Sequence, residues 1–231
     1  MLESKFTIQD ILRSGRKFLL EPEAKSLCTY YGIDVPRFAI AKNLEEALRI
    51  ANELGYPVVL KVVSPDIVHK SDVGGVILNI SNDEELKEAY ERLMNNVRRN
   101  APNARILGVL VEEQLPEGTE VIVGVTKDPQ FGHVIMFGLG GIFVEILNDV
   151  TFRVLPIDKE DALEMLHEIK GYPILEGYRG AKRADINAIV DIMLKVSKLV
   201  MENPSIKEMD LNPIRVYEKG AKVLDVRILL N

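Results

Sequence analysis

The chain has 231 residues, 47% of them hydrophobic and 28% charged, with a formal net charge of −6. These values describe a folded protein with material for a sizeable core, and the acidic balance argues against nucleic acid as a partner. A single cysteine, Cys28, excludes an intrachain disulfide and fits a reducing compartment. No apolar run approaches the ~20 residues of a membrane span, and Met-Leu-Glu-Ser-Lys-Phe is no signal peptide, so a cytoplasmic protein without membrane contact is expected.

Helical periodicity marks residues Thr7 to Ser14, Pro22 to Tyr31, Leu44 to Leu54 and Asp83 to Arg99. Asn43 and Asn82 stand where N-caps belong, and Gly32 and Gly55 where C-terminal caps belong. β-Branched runs at Phe38 to Ile40, Val58 to Val63 and Val76 to Ile80 alternate with these helices. Further on, Ile106 to Glu113, Glu120 to Thr126 and His133 to Phe137 follow in close succession, separated by Pro116-Glu117-Gly118 and Lys127-Asp128-Pro129. That spacing predicts an antiparallel meander. Helices at Lys159 to Ile169 and Ala184 to Met201 precede a terminal pair of strands, Ile214 to Tyr217 and Lys222 to Ile228, turning at Glu218-Lys219-Gly220. The fold class is α+β, with a junction between two lobes near Val111 to Leu115 and a cleft between the lobes as the expected ligand position.

The most informative stretch runs from Lys61 to Val76. Lys61 interrupts Val58-Val59-Leu60 and Val62-Val63, where a cation is poorly placed unless it meets an anion; the alternative is a stem that snorkels off a sheet edge. The Val68-His69-Lys70 loop adds a second cation and an imidazole suited to accept and donate a phosphoryl group. Gly74-Gly75 then permits close approach of backbone to a ligand. His133 and His167 lack such company and read as structural, and Cys28 reads as a core filler. Val111-Glu112-Glu113-Gln114-Leu115, at the junction, could offer adenine backbone edges and an apolar face, and Glu112 and Glu120 could accept from ribose hydroxyls. A solvated acidic turn accounts for the same residues. Asp210 and Asn212 share a strand face, and the hairpin could bring Asp225 opposite them. Two carboxylates and an amide suit Mg²⁺ held partly through phosphates, while an Asx turn before Pro213 is the other reading. Gly138-Leu139-Gly140-Gly141 lacks dinucleotide-fingerprint spacing and is either a flexible turn or a point of close approach. Glu145 and Arg153 could pair with each other or serve this loop.

Taken in order and spacing, Lys61, Val68-His69-Lys70, Glu112, Leu115, Glu120, Asn212 and Asp225 resemble the ATP-grasp lobes of succinyl-CoA synthetase β subunits. Two departures, His69 in place of a Gly-Arg-Gly loop and the lack of an extra C-terminal domain, look like the small β subunits of ADP-forming acetyl-CoA (acyl-CoA) synthetases. The Gly138-Leu-Gly-Gly-Ile-Phe-Val-Glu145 and Asp149-Val-Thr-Phe-Arg153 stretches share that resemblance. The resemblance implies an ATP-grasp fold of two α/β lobes with the nucleotide cleft between them. It divides the chain into an N-terminal helical extension, residues 1–20, a first subdomain, residues 21–111, and a second, residues 112–231. It implies that Lys61, Val68, His69 and Lys70 bind phosphates, Glu112 and Leu115 the base, and Glu120 the ribose. Asn212 and Asp225, with Asp210 in support, would hold Mg²⁺, and His69 would relay a phosphoryl group to ADP. The cofactors implied are ATP/ADP and Mg²⁺. The implied partner is a CoA-binding α subunit, in an α2β2 assembly, without which the chain turns nothing over. The reaction would be acyl-CoA + ADP + phosphate giving acid + CoA + ATP. Two alternatives make His69 incidental: a self-sufficient carboxylate–amine ligase, and a nucleotide-sensing module of an acetyltransferase-like protein.

Overall fold

The computed structural model describes residues 8–67, 69–141, 144, 146–178 and 182–231. Two compact units emerge. One is Pro36–Pro116; the other joins Glu117–Asn231 to the described residues up to Val35. Among the described residues no helix is long and apolar enough to cross a membrane.

In the first unit, strands β1 (Phe38–Ala41), β2 (Val58–Val63), β3 (Val76–Ile80) and β4 (Gly108–Glu113) form an antiparallel sheet in the order β1-β4-β2-β3. Helices separate β1 from β2 and β3 from β4: α3 (Leu44–Leu54) and α4 (Asp83–Asn100), numbered after two helices of the other unit. Each starts on an asparagine whose side chain accepts the amide three residues on, Glu46 N at 2.9 Å from Asn43 and Glu85 N at 3.0 Å from Asn82. The glutamates reciprocate by accepting Lys42 N and Ser81 N, each at 2.8 Å. α3 packs on β1 and β4, and α4 on β2 and β3. Their apolar faces close a core with Val58, Leu60, Val62, Val109 and Val111. Because side chains alternate along a strand, Val59, Lys61 and Glu112 point to the opposite face.

In the second unit the sheet order is β10-β8-β5-β6-β7, all antiparallel, with β9 also paired to β8. The strands are β5 (Thr119–Asp128), β6 (Gly132–Leu139), β7 (Val150–Val154), β8 (Ile206–Val216), β9 (Ala221–Val223) and β10 (Val226–Leu230). Helices α5 (Lys159–Glu168), α6 (Tyr172–Leu175) and α7 (Ile186–Glu202) connect β7 to β8, and α5 packs against α7 and β7. The chain's early helices, α1 (Ile8–Arg13) and α2 (Glu21–Tyr30), belong here. Leu19 N donates to Ile228 O and Leu230 N to Lys17 O, tying the approach to α2 along β10. Within α2, Lys25 and Glu21 form a buried ion pair at 3.0 Å, and Cys28 lies in the core.

The expected boundaries differ from these units. A cut after Val111 would divide β4, whose ladder with β2 continues to Val58↔Glu113; the units part at Pro116/Glu117. Residues 21–35 group with the second unit because α2 packs on β10 and Val223 N bonds Asp34 O at 2.9 Å. β7 and α6 are absent from the sequence-based expectation. The strand expected from Ile214 begins at Ile206.

Candidate functional site

β2 and β4 run antiparallel with Val59 opposite Glu112, which places Lys61 and Glu112 diagonally on one face. Lys61 Nζ lies 3.3 Å from Glu112 Oε1, and their side chains are 11% and 4% exposed. The cation and the carboxylate that the sequence reading gave to separate roles are therefore an ion pair. Lys61 does not snorkel away, and Glu112 is not part of a solvated turn. Glu113, its neighbour, points elsewhere and accepts Arg37 Nε at 2.7 Å and Arg37 N at 3.0 Å. Leu115 follows β4 and is half-buried. Gln114 clamps the strand's exit: its amide exchanges hydrogen bonds with the backbone and side chain of Asn79 on β3.

Val68 lies outside the described residues. His69 is exposed and Lys70 half-buried. The loop bearing them is anchored at both ends. Before it, Ile67 enters the core, and Asp66 accepts Arg105 N at 2.7 Å. After it, a 3-10 turn over Ser71–Val73 ends at Gly74, with φ +65°, and Gly75 N returns to Lys70 O at 2.8 Å. A Cβ on Gly75 would stand 2.6 Å from Val62 Cγ1 and 3.0 Å from Lys70 O. Asn96 and Asn100 of α4 donate to the carbonyls of Gly74 and Val73. The Gly-Gly pair thus closes the loop against β2, which carries Lys61.

The second unit gathers the remaining polar residues on β5, β8 and the β9–β10 junction. Asp210 stands opposite Gly124 on one side and Arg227 on the other. Asn212 N donates to Asp225 O at 3.2 Å, so the hairpin brings Asp225 opposite Asn212. The Asn212–Pro213 peptide is cis. Burial, and then the negative charge of Asp225, push the Asp210 carboxyl above the ordinary carboxylate range, with Arg227 opposing. Asp225 Oδ1 accepts Val226 N at 2.9 Å. Among the described residues no cluster of three or more His, Cys, Asp or Glu side chains could enclose a metal ion. Two mutually repelling carboxylates beside an amide nevertheless fit Mg²⁺, which takes few protein oxygens and completes its shell from phosphates and water.

Glu120 lies on β5, opposite Arg215 of β8. Arg215 Nε donates to its Oε1 at 3.0 Å. On its other side Gly140 N donates to Glu120 O at 2.8 Å. A cavity of about 250 Å³ opens there, lined by Thr119, Glu120, Leu139, Gly140, Gly141 and Ile174. Sequence reasoning missed Arg215, although, like Lys61, it interrupts an apolar strand. Arg153 pairs with Glu168, whose Oε2 is 3.0 Å from Nη1, and with Glu164; Glu145 lies outside the described residues. His133 bonds Ile206 O and His167 bonds Leu163 O, each at 2.7 Å. Burial raises the Cys28 thiol to about 12, partly offset by Lys25, so it is no nucleophile at neutral pH.

The ATP-grasp domain family matches residues 10–230. Over 212 residues the chain is 58% identical to the acetate–CoA ligase [ADP-forming] I subunit beta of Pyrococcus furiosus, covering 92% of this chain and 91% of that one. It belongs to the β subunits of ADP-forming acetate–CoA ligases. Among solved structures of this family is acetyl-coenzyme A synthetase 1 of Ca. Korarchaeum cryptofilum in complex with coenzyme A, Ca-AMPCP and HgCl+. It superposes with a TM-score of 0.95 at 50% identity, over 97% of this chain and 98% of that chain. Another structure of that synthetase holds coenzyme A and Mg-AMPPCP, with its phosphohistidine segment pointing towards the nucleotide binding site. Its TM-score is 0.85 at 46% identity, with the same coverage. The ATP-grasp fold and the family membership expected from the sequence both hold.

Proposed function

We propose that the chain binds ADP and ATP with Mg²⁺ and passes a phosphoryl group between a phosphohistidine and the nucleotide. It would do so as the β subunit of an ADP-forming acetate (or other acyl)–CoA ligase. The overall reaction is acyl-CoA + ADP + phosphate giving acid + CoA + ATP, with a CoA-binding α subunit in an α2β2 assembly. From the first unit, Lys61 and Lys70 neutralise phosphate oxygens with the backbone around Val68 and His69, and Glu112 and Leu115 receive the base. From the second, Glu120 accepts the ribose hydroxyls, and Asn212 and Asp225, supported by Asp210, hold Mg²⁺. When bound, the ion would neutralise phosphate charge.

His69 takes the phosphoryl group from the partner's phosphohistidine. An imidazole nitrogen of His69 bonds to phosphorus as the donor's P–N bond breaks. A terminal oxygen of ADP then displaces the imidazole, which keeps the bonding electron pair. What supports the reading is that Asn212 is tied through its backbone to Asp225, whose charge also bears on the Asp210 carboxyl, a repulsion that a cation would relieve. The nucleotide and the Mg-AMPPCP of the Korarchaeum relative support it.

The test is to incubate the chain with its α partner, acetyl-CoA, phosphate and Mg²⁺ without ADP, and to map phosphohistidine by mass spectrometry. Phosphate on His69 that ADP discharges to ATP is the expected result. If phosphate stays on the partner and His69→Ala makes ATP at the normal rate, the relay role is wrong and a nucleotide-binding subunit remains.

A further inference from the structure

We infer that Arg215 is the positioning residue that makes Glu120 selective for the ribose diol. The inference rests on Glu120 being the ribose acceptor. Glu120 sits between two fixed neighbours. On one side Arg215 Nε holds Oε1 at 3.0 Å from the adjacent strand. On the other the Gly140-Gly141 turn comes within hydrogen-bonding distance of its backbone. A Cβ on Gly140 would meet Glu120 Cβ at 3.1 Å and Glu120 O at 3.2 Å, so the missing side chain lets the turn lie against the base of Glu120, and space for a ligand opens beside them. That space is the cavity of about 250 Å³, with Leu139 and Ile174 as its apolar lining.

A carboxylate offers about four lone-pair sites. Arg215 occupies one on Oε1, and no described residue donates to Oε2. The guanidinium therefore spends one oxygen and aims the other. A hydrogen bond between a guanidinium and a carboxylate is of the stronger, charge-assisted kind, so the aim is held firmly. A free glutamate would lose side-chain entropy on binding the sugar; here the order exists beforehand. The Gly138–Gly141 motif acquires a purpose as well: without a side chain, Gly140 packs against Glu120 at the rim of this cavity.

The measurement is ADP, 2′-deoxy-ADP and 3′-deoxy-ADP binding to the full chain by calorimetry, for wild type, Glu120→Gln, Arg215→Met, Arg215→Lys and the Glu120→Gln, Arg215→Met pair. Arg215→Met is expected to weaken ADP about tenfold, the effect of one charge-assisted hydrogen bond, while the deoxy nucleotides change little. Arg215→Lys should recover part of the preference. The double variant should bind as Glu120→Gln does, since both act at one contact. Equal weakening of all three nucleotides by Arg215→Met, or no weakening, overturns the inference while leaving Glu120 as the acceptor. A wild-type chain that binds ADP without preferring it over the deoxy forms, or whose preference survives Glu120→Gln, overturns the Glu120 reading and the inference together.

Discussion

Lys61→Met separates the ion pair with Glu112 from the phosphate contact proposed for Lys61. Lys61 and Glu112 lie 3.3 Å apart, 11% and 4% exposed. Removing one partner of a buried pair costs about 3–5 kcal/mol because the other charge keeps its desolvation penalty. Residual exposure of Lys61 puts the loss at the lower end, about 3 kcal/mol. For a chain of this size that lowers the melting temperature by roughly 6–12 °C. Adding Glu112→Met replaces the pair with two apolar side chains of similar volume, a change that is often neutral, so the double variant should recover most of the lost stability. ADP affinity should not return with it. A cation that contacts phosphate contributes about 1.5–3 kcal/mol, so both variants should bind ADP roughly ten- to a hundredfold more weakly. Calorimetric melting and ADP titration on the same preparations decide the matter. A Lys61→Met chain as stable as wild type would refute the ion-pair argument. Single and double variants with wild-type ADP affinity would refute the phosphate role.

Gly75→Ala should cost about 1–3 kcal/mol through overpacking, because its Cβ would meet Val62 and Lys70 O; denaturant melting reads the loss, and phosphate uptake by His69 should fall as the loop shifts. Asp185 caps α7 by accepting Ala188 N at 3.1 Å and also accepts Gly220 N at 2.8 Å. The Gly220 amide foremost holds its carboxyl below the ordinary value. Its stabilisation is therefore present above the unfolded-state pKa and lost as pH falls through the depressed one. Asp185→Ala should be about 1 kcal/mol less stable at pH 7, a gap that closes below about pH 4 and would persist there if the carboxylate's charge were irrelevant. With its thiol raised to about 12 by burial, Cys28 should resist a disulfide reagent at pH 8 until the chain is unfolded; fast labelling of the native chain would contradict the packing of α2.

Local rules made the first unit legible. Asn43, Asn82 and Gly55 mark the helix ends where they stand, and runs rich in β-branched residues give β2 and β3. β7 escaped because Val150–Val154 is short, alternates around Arg153 and lies at the sheet edge. The start of β8 escaped because Lys207, Glu208 and Asp210 leave Ile206–Asn212 without the apolar, β-branched run that marks the other strands. Their alternation with Ile206, Met209 and Leu211 becomes meaningful once β5 and β10 flank the strand. The site followed the same division. Individual residues stood out as charges in apolar strands, but which charges meet is a matter of register. Lys61 and Glu112 are 51 positions apart, and Glu120 and Arg215 are 95. No periodicity within either segment encodes the diagonal or the direct pairing that joins them.

The Asn212-Pro213 step shows why polar residues collect where a ladder is interrupted. On one edge β8 pairs with β10 up to Leu211 and with β9 from Ile214. On the other, Val121 pairs with Ile214 and Val123 with Leu211, so β8 has one residue more than β5 between those points. Pro213 has no N–H to give to either neighbour, and a bulge is where a strand interior tolerates that loss. The backbone remains tied by Asn212 N to Asp225 O and Leu224 N to Pro213 O. Asp225 arrives opposite Asn212 because the chain crosses from β9 to β10 at this point. The turn before proline, one of the two readings of the sequence, is thus a bulge inside a long strand, and the irregularity brings the backbones of Asn212 and Asp225 together. Removing the extra residue would slip the register by one and reverse the faces of the residues beyond it.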